Sequence, residues 1–261
     1  MGYTSYDTIG KGYDHTRRAD PFLTGRIHAL LGLPEGAHVL DIGCGTGNYT
    51  IALHAQGLRL TGVDPADRML AEARAKAEGI GWVHGKAEAL PFHDAYFDGA
   101  VATLTTHHWA DMTQGFREAH RVLRPGAPIV ILTSTPEQMQ RYWLCYYFPT
   151  IMARSCTVMP DARTTDAALT TAGFTDIAHE PYSVRPDLQD LFLYSAKDDP
   201  SRYLDPAFRS GISTFAALSD EDELRCGLER LAQDIASGEW QTIRQAAEHD
   251  GGDYLFVKAV A

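Results

Sequence analysis

An acidic residue and three alternating glycines stand together in the stretch His38-Val-Leu-Asp-Ile-Gly-Cys-Gly-Thr-Gly-Asn48. Gly43, Gly45 and Gly47 leave the main chain bare, so a nucleotide-like ligand can approach the backbone closely. Asp41 would repel a pyrophosphate group but would attract an ammonium or a sulfonium group. The pattern therefore predicts a site for a zwitterionic nucleoside that carries a positive charge.

The spacing of these glycines differs from that of dinucleotide-binding proteins. In the dinucleotide fingerprint the third glycine comes three residues after the second. Here that position is Asn48, and the third glycine comes one residue earlier. A nucleotide-dependent dehydrogenase is therefore the less favoured interpretation, although it would share the same type of sheet.

A second carboxylate, Asp64, ends the predicted strand 58–64 and lies 23 residues after Asp41. An acid at the tip of the second strand of such a fold can accept hydrogen bonds from both ribose hydroxyls of a nucleoside. Asp64 could instead cap the helix predicted over 66–78. The two roles are compatible with each other.

Two adjacent histidines, His107 and His108, follow the predicted fourth strand, 97–106. Ligands bind at the carboxyl ends of parallel strands, so the side chains from Thr103 to His108 are expected to face the reacting group. Either histidine is a candidate general base, and the alternative is a purely structural role. The chain contains no His-Glu-x-x-His spacing, and no metal site is predicted.

Short apolar runs alternate with segments of helical periodicity along most of the chain, which is typical of an α/β fold with a parallel sheet. Beyond the strands already given, a strand is predicted over 128–133, and 252–260 is predicted as the antiparallel partner of a strand over 174–180.

The run Val39-Leu-Asp-Ile-Gly-Cys-Gly-Thr-Gly47 resembles the first motif of the class I S-adenosylmethionine-dependent methyltransferases. It is most similar to the broad type 11 group, which includes ubiquinone- and menaquinone-pathway C-methyltransferases. Glu88-Ala-Leu-Pro-Phe92 and Arg121-Val-Leu-Arg-Pro-Gly126 resemble two further landmarks of that group. The resemblance implies a seven-stranded, mostly parallel, doubly wound sheet and S-adenosyl-L-methionine as cofactor.

The same resemblance implies roles for further residues. Tyr13 and Arg17 match the Tyr-Asp-x-x-Arg pattern of an N-terminal lid over the cofactor, although a solvated N-terminus is the ordinary alternative. Met69 would pack on the adenine, and a role as a core residue is the alternative. The group often has an acid where this chain has Lys86, so the main chain of Lys86 and Ala87 is expected to recognise the adenine edge instead. The predicted cofactor site also contains Asp41, Gly43, Gly45, Gly47, Asp64 and Thr103.

Five aromatic residues fall within the seven residues of 142–148, which we call the aromatic segment. This segment is either a hydrophobic helix packed on the body of the domain or a wall of the substrate pocket, where aromatic faces attract cations. In the second interpretation the pocket is lined by Tyr6, His108, Tyr142, Trp143, Tyr146 and Tyr147.

Residues 184–250, which we call the insert, replace what is usually a short turn in the resembled group. Helices are predicted there over 188–194, 220–235 and 241–248, and so long a connection often carries function. We expect a single domain with a core at about 21–133, 161–183 and 251–261. A helical cap would come from 1–20, 134–160 and 184–250.

The formal net charge of −11 disfavours nucleic acid as a partner, because phosphate backbones are bound by clustered Lys and Arg. No apolar run approaches the length of a membrane span, and the N-terminus lacks the features of a secretory signal. Four widely spaced cysteines are typical of reduced thiols, so a cytoplasmic location is expected.

Taken together, the sequence predicts an S-adenosylmethionine-dependent methyltransferase that acts on a small molecule in a capped, aromatic-lined pocket. A non-catalytic cofactor-binding protein and a methyltransferase of macromolecules are the alternatives. The sequence determines neither the acceptor nor the oligomeric state.

Overall fold

A seven-stranded sheet runs through the part of the chain that the computed structural model describes, residues 16–218 and 220–261. Five strands run parallel: β1 (His38–Ile42), β2 (Arg59–Asp64), β3 (Gly81–His84), β4 (Gly99–Thr103) and β5 (Pro128–Thr133). The strand order is β3-β2-β1-β4-β5-β7-β6, and β7 (Tyr254–Val260) runs antiparallel to both β5 and β6 (Thr175–Tyr182). The predicted mostly parallel sheet is confirmed, and β7 is its reversed strand.

The central strands are buried on both faces, which explains their continuous apolar runs. Successive side chains of a strand point to opposite faces. Val39 therefore joins one cluster, with α1 (Pro21–Leu31) and α2 (Asn48–His54), while Leu40 joins the other. That second cluster holds α4 (Met112–Val122) and α8 (Ala162–Ala172), and α3 (Asp67–Lys76) packs beside β2 and β3. The sheet is therefore doubly wound.

The helix α1 begins where an aspartate can satisfy its first main-chain donors. Asp20 is the N-cap and accepts a hydrogen bond from the main-chain N–H of Leu23 at 2.9 Å, and a proline occupies the first helical position. The chain leaves α1 at Gly32, whose φ of +62° is the left-handed conformation that glycine adopts without strain. Residues 16–20, which we call the strap, thereby end in a fixed position against the sheet.

Further helices occupy the two segments that the sequence sets apart from the core. Between β5 and α8 lie α5 (Pro136–Met139), α6 (Leu144–Tyr147) and α7 (Pro149–Thr157). The insert contains a short 3₁₀ helix (Pro200–Leu204) followed by four α-helices, which are α9 (Pro206–Ser210), α10 (Ser213–Leu218), α11 (Glu221–Ser237) and α12 (Glu239–Ala246).

The helix predicted over 188–194 is wrong, because the backbone there is irregular over 188–192, with a bend at Asp190, and turns begin at Leu193. Its main-chain donors are used by other partners: the N–H of Gln189 donates to the Asp20 carboxylate and the N–H of Leu191 donates to the carbonyl of Thr16. A helix needs those donors for its own i−4 carbonyls. Tertiary hydrogen bonds to the strap thus replace the helical ones.

Among the described helices, none has both the length and the apolar character that a membrane crossing requires.

Candidate active site

The three glycines of the loop after β1 all have left-handed φ values, +76° at Gly43, +54° at Gly45 and +79° at Gly47. Their surroundings differ. A Cβ at Gly43 would lie 2.0 Å from Oγ1 of Thr105, and one at Gly47 would lie 2.4 Å from the ring of Trp82. At Gly45 a Cβ would meet no atom within 4 Å. Gly43 and Gly47 therefore allow close packing, whereas Gly45 faces open space that a ligand can use.

The carboxylate of Asp64 holds this loop from the end of β2. Its Oδ2 accepts from the main-chain N–H of Gly45 at 2.9 Å and its Oδ1 accepts from that of Ala66 at 2.8 Å. Burial raises the pKa of Asp64, and the two main-chain hydrogen bonds act in the opposite direction. Asp64 is thus at the strand tip, and Ala66, rather than Asp64, occupies the N-cap position of α3.

Asp41 lies inside the sheet at 2% exposure, with Gly62 of β2 and Val101 of β4 beside it in register. Its Oδ2 accepts from the hydroxyl of Thr50 at 2.6 Å. Burial raises the pKa of Asp41 to about 7, the Thr50 bond lowers it, and the charge of Asp64 raises it further. A buried carboxyl group of this kind would be stabilised in its charged form by a neighbouring cation.

The chain turns sharply after β4, because Leu104 has a left-handed φ of +52°. A 3₁₀ turn, Thr106–His108, follows and places the two histidine rings with centroids 3.9 Å apart. Within the described residues, the buried Nδ1 of His107 and the buried Oγ1 of Thr103 have no hydrogen-bond partner. Buried polar atoms nearly always have partners, so these two mark a place for a ligand or water.

Both imidazoles are neutral at pH 7. Burial lowers the pKa of His107 well below its ordinary value, with smaller contributions from the charges of His108 and Arg17. Burial alone lowers the pKa of His108 to about 4. A neutral imidazole has a nitrogen lone pair that can accept a proton, so either ring has the form that a general base needs.

Arg17 does not stand free over the glycine loop. Its guanidinium donates to Asp190 of the insert through Nε at 2.5 Å and through Nη2 at 3.1 Å. Asp190 also accepts from the hydroxyl of Tyr49, in the first turn of α2. The two other residues predicted near the cofactor or substrate from the N-terminal lead, Tyr6 and Tyr13, lie outside the described residues.

The residues predicted around the adenine lie near the ends of β2 and β3. The ring of His84 bonds the carbonyl of Pro65 at 3.0 Å and so joins the two strand ends. Met69 is buried at the start of α3, and Ala87 is buried after β3. Lys86 is exposed, and its carbonyl accepts from the main-chain N–H of Ala89.

The aromatic segment packs into the interior formed with the insert. Tyr142 is stacked on Tyr194, with ring centroids 3.9 Å apart, and its hydroxyl donates to the carbonyl of Asp253. Trp143 donates from Nε1 to the carbonyl of Lys197 at 3.0 Å and contacts the edges of further aromatic rings. These two residues therefore correspond to the packed-helix interpretation rather than to an open pocket wall.

The last two predicted pocket residues have partners of their own. Tyr147 is 3% exposed and donates to the carboxylate of Asp234 at 3.0 Å. Tyr146 is 43% exposed, and the guanidinium of Arg230 lies 3.9 Å above the centre of its ring. The aromatic faces of the segment are thus used to join α6 to the insert.

Sequence reasoning missed Trp82, Tyr49 and Asp190. Trp82 covers Gly47 and Gly62, and its buried Nε1 has no partner among the described residues. Trp82 could have been found as a large ring opposite a glycine on the next strand. Asp190 has no such signal, because its two partners lie 173 and 141 residues away along the chain.

The site as a whole fits S-adenosylmethionine. Asp64 supplies negative charge beside the open space at Gly45, and Asp41 is a second, buried carboxyl group in β1. Thr103 and His107 supply buried atoms without partners among the described residues. The two carboxylates would stabilise the sulfonium and ammonium groups of the cofactor. Because Gly45 has no side chain, the approach to the loop is open. Among the described residues, no three His, Cys, Asp or Glu side chains are grouped so as to hold a metal ion.

A family model described as a methyltransferase domain matches residues 40–131, which include the glycine loop, Asp64 and both histidines. A demethylmenaquinone methyltransferase of Staphylococcus epidermidis is 29% identical over 205 residues, covering 67% of this chain and 85% of that protein. One from Bacillus licheniformis is 34% identical over 158 residues, covering 55% and 68% respectively.

A crystal structure from Anabaena variabilis, assigned to the methyltransferases of an antibiotic biosynthesis pathway, superposes with a TM-score of 0.84. It is 34% identical and covers 94% of this chain and 99% of its own. This likeness extends through the insert and the aromatic segment, which the family model does not reach. The protein is an enzyme that uses S-adenosylmethionine, and the chain belongs to the class I S-adenosylmethionine-dependent methyltransferases of the type 11 group.

Proposed function

We propose that the enzyme transfers the methyl group to a small molecule held at the tip of β4, beneath a cap. The observation that carries this proposal is the pair of buried, unpartnered and uncharged atoms there, Oγ1 of Thr103 and Nδ1 of His107. Each of these atoms would be satisfied by a polar group of a ligand that is otherwise enclosed by protein. A macromolecular acceptor is disfavoured by the net charge of −11 if it is a nucleic acid.

On the cofactor side, the proposed roles are those that the family resemblance implies, and a contact of this chain supports the role of Asp64. Asp41 would oppose the ammonium group directly or through water, and Asp64 would accept from the ribose while it holds Gly45. Met69, Ala87 and the main chain at Lys86 would surround the adenine. When bound, the cofactor supplies a methyl group already activated on a sulfonium. The protein therefore needs little acid–base chemistry on that side.

On the acceptor side, the main contribution of the protein is alignment. Holding a nucleophile behind the methyl carbon in a dry site can supply on the order of 7–11 kcal/mol. His108 or His107 would take a proton from an acceptor that arrives protonated. General-base catalysis of this kind raises the reaction rate by about 10²–10⁴-fold. Both imidazoles are neutral across the physiological pH range, so a lone pair is available for that proton, and the lowered pKa of each ring makes it a weak base.

The cap would come from 1–20, 134–160 and 184–250, and the core from about 21–133, 161–183 and 251–261. Contacts between these parts support this division. Residues of the insert bind the strap through Gln189, Asp190 and Leu191, and the aromatic segment packs on the insert through Tyr142 and Trp143. The names of the relatives, demethylmenaquinone methyltransferases, support a planar small molecule as the acceptor.

The experiment is incubation with S-adenosylmethionine labelled in its methyl group and a cell extract divided into small-molecule and macromolecular fractions. We expect label in one low-mass product, identified by mass spectrometry, and no label with the Asp64→Ala variant. Label in protein or nucleic acid would support a macromolecular acceptor instead. Cofactor binding by calorimetry with no labelled product in either fraction would support a non-catalytic binding protein.

A further inference from the structure

Asp190 is a buried carboxylate that three hydrogen bonds hold in one place. It is 1% exposed and accepts from Nε and Nη2 of Arg17 and from the hydroxyl of Tyr49 at 3.1 Å. The paired contact with the guanidinium is the two-point geometry that fixes both partners. A buried charge that lost such partners would be strongly destabilising, so Asp190 and Arg17 constrain each other.

The donors of Asp190 belong to the two elements that flank the glycine loop. Tyr49 lies in the first turn of α2, immediately after Gly47. The neighbouring Asn48 donates from its side-chain amide to the carbonyl of Arg17 at 2.9 Å. The strap and the start of α2 are therefore joined to each other and, through Asp190, to the insert.

The insert binds the strap at further points around Asp190. The carboxylate of Asp20 accepts from the N–H of Gln189 at 3.0 Å, and the carbonyl of Thr16 accepts from the N–H of Leu191 at 2.9 Å. A Cβ at Gly211 would lie 1.9 Å from Oγ1 of Thr16, so the insert also packs tightly over the strap. Arg17 is thus held from both sides and has little freedom to swing away.

The position of Arg17 matters because the site next to it receives a cation. Its charge is close enough to lower the pKa of His107, at the tip of β4. S-adenosylmethionine carries a net positive charge, so an uncompensated guanidinium at this place would repel it. The carboxylate of Asp190 cancels that charge at hydrogen-bond distance.

We propose that Asp190 is a positioning residue for the cofactor site: it fixes Arg17 beside the tip of β4, neutralises its charge and holds the first turn of α2. The insert thereby determines the geometry and the charge of a site to which it contributes no proposed cofactor ligand. The proposal builds on the function proposed above, but its test needs no methyl acceptor.

The test measures S-adenosylmethionine affinity by calorimetry for Asp190→Asn, Tyr49→Phe and a matched control, Asp253→Asn. Asp253 is an equally buried carboxylate, 5% exposed, that pairs with Lys197 and touches neither Arg17 nor α2. We expect both aspartate variants to unfold at lower temperature. Asp190→Asn should raise the Kd at least tenfold and Tyr49→Phe by two- to fivefold, while Asp253→Asn stays within twofold of the wild type.

Three further measurements separate positioning and charge from a general loss of structure. The Kd penalty of Asp190→Asn should shrink with added salt, because ions screen the repulsion by Arg17. The double variant Arg17→Gln, Asp190→Asn removes both charges, so its Kd should recover the part of the affinity lost to repulsion and should lose its salt dependence, while the part lost with the hold on α2 remains. In the absence of cofactor, the amide of Leu191 should exchange its hydrogen at least tenfold faster in Asp190→Asn than in the wild type.

Equal Kd changes in Asp190→Asn and Asp253→Asn would overturn the proposal, as would a folded Asp190→Asn protein that binds within twofold of the wild type. If Asp190→Asn fails to fold, the Kd values of Tyr49→Phe and Arg17→Lys are measured instead. Wild-type affinity in both of these variants overturns the proposal. Failure to find a small-molecule acceptor would count against the proposed function and leave these binding results intact.

Discussion

The carboxylate of Asp64 accepts a hydrogen bond from the main-chain N–H of Gly45 at 2.9 Å, so the tip of β2 holds the loop that follows β1. Its other oxygen is engaged by the N–H of Ala66. One side chain thus fixes the loop at the glycine that faces open space and presents negative charge there. The loop and the proposed ribose site are therefore one structural unit.

Asp64→Asn should raise the Kd for S-adenosylmethionine by about 10- to 100-fold. The amide keeps the shape but loses the charge and one acceptor, and hydrogen bonds to charged groups contribute about 1.5–3 kcal/mol. Calorimetry measures the affinity, and thermal unfolding separates it from stability. Asp67→Asn, at an exposed position in the first turn of α3, should leave the Kd unchanged. Equal effects of the two substitutions would contradict the role given to Asp64.

Alanine substitutions of the three loop glycines should have different effects. Gly45→Ala should fold, with a left-handed strain of about 1–2 kcal/mol, and should bind the cofactor at least tenfold more weakly because its Cβ enters the open space. Gly43→Ala and Gly47→Ala should lower the unfolding temperature more, because their Cβ atoms would overlap Thr105 and Trp82.

The packing origin of the Gly47 effect has its own control. Gly47→Ala should lower the free energy of unfolding less in a Trp82→Leu background than in the wild type, because the smaller side chain leaves room for the new Cβ. Stability is measured by chemical unfolding. An equal loss in the two backgrounds would mean that Gly47 is required for another reason.

His108→Ala should lower turnover at least tenfold while the Kd for the cofactor stays the same, if the imidazole takes a proton from the acceptor. His107→Ala is the matched variant, since its ring lies beside that of His108. Steady-state kinetics with the acceptor and calorimetry with the cofactor provide the two readouts. Unchanged turnover in both variants would remove the general base from the mechanism.

The low pKa of His108, about 4, also predicts a pH dependence of stability. The unfolded chain binds a proton below pH 6.5 that the folded protein does not bind until about pH 4. The free energy of unfolding therefore falls as the pH decreases between these values. We expect this decrease to be smaller in His108→Gln. The comparison with this variant is needed because the titration of Asp41 changes the free energy of unfolding in the opposite direction over an overlapping pH range.

The raised pKa of Asp41, about 7, couples cofactor binding to proton release. An ammonium group beside it favours the charged carboxylate, so the affinity for S-adenosylmethionine should increase by up to about tenfold between pH 6 and pH 8. Without cofactor, the folded protein keeps a proton that the unfolded chain loses near pH 4, so this group lowers the free energy of unfolding as the pH rises from about 4 to about 7 and has no further effect above that range.

Calorimetry in buffers of different ionisation enthalpy measures the released proton directly. The Asp41→Asn variant cannot release it, so its observed binding enthalpy should not depend on the buffer in this way. Buffer-independent binding by the wild type at pH 7 would show that Asp41 does not titrate on binding.

Tyr142→Phe tests the packing of the aromatic segment. The variant loses the hydrogen bond to the carbonyl of Asp253 and leaves that buried acceptor unsatisfied, so it should be less stable by about 1–3 kcal/mol. The KM for the acceptor should not change, because the ring is buried against Tyr194. A changed KM in a variant with wild-type stability would indicate that Tyr142 lines the substrate pocket.

The fold class and the cofactor class could be predicted because their signals are local. Asp41 and the three glycines lie within one strand and its following loop, and the alternation of apolar runs and helical periodicity specifies buried strands between helices. Asp64 could be placed because a strand tip has a fixed position at the carboxyl edge of a parallel sheet. These relationships require only a few consecutive residues and the regular geometry of the sheet.

The partners of charged and aromatic side chains were decided by the tertiary structure. Sequence patterns predicted that Arg17 lies over the cofactor and left the aromatic segment open between a packed helix and a pocket wall. The structure supplies the distant contacts: Arg17 pairs with Asp190, and Tyr142 packs on Tyr194. Irregular backbone replaces most of the helix predicted over 188–194, because its donors bind the strap. The physical reason is that a buried charge or ring is stabilised by whichever distant group completes its contacts, and no local periodicity encodes that group.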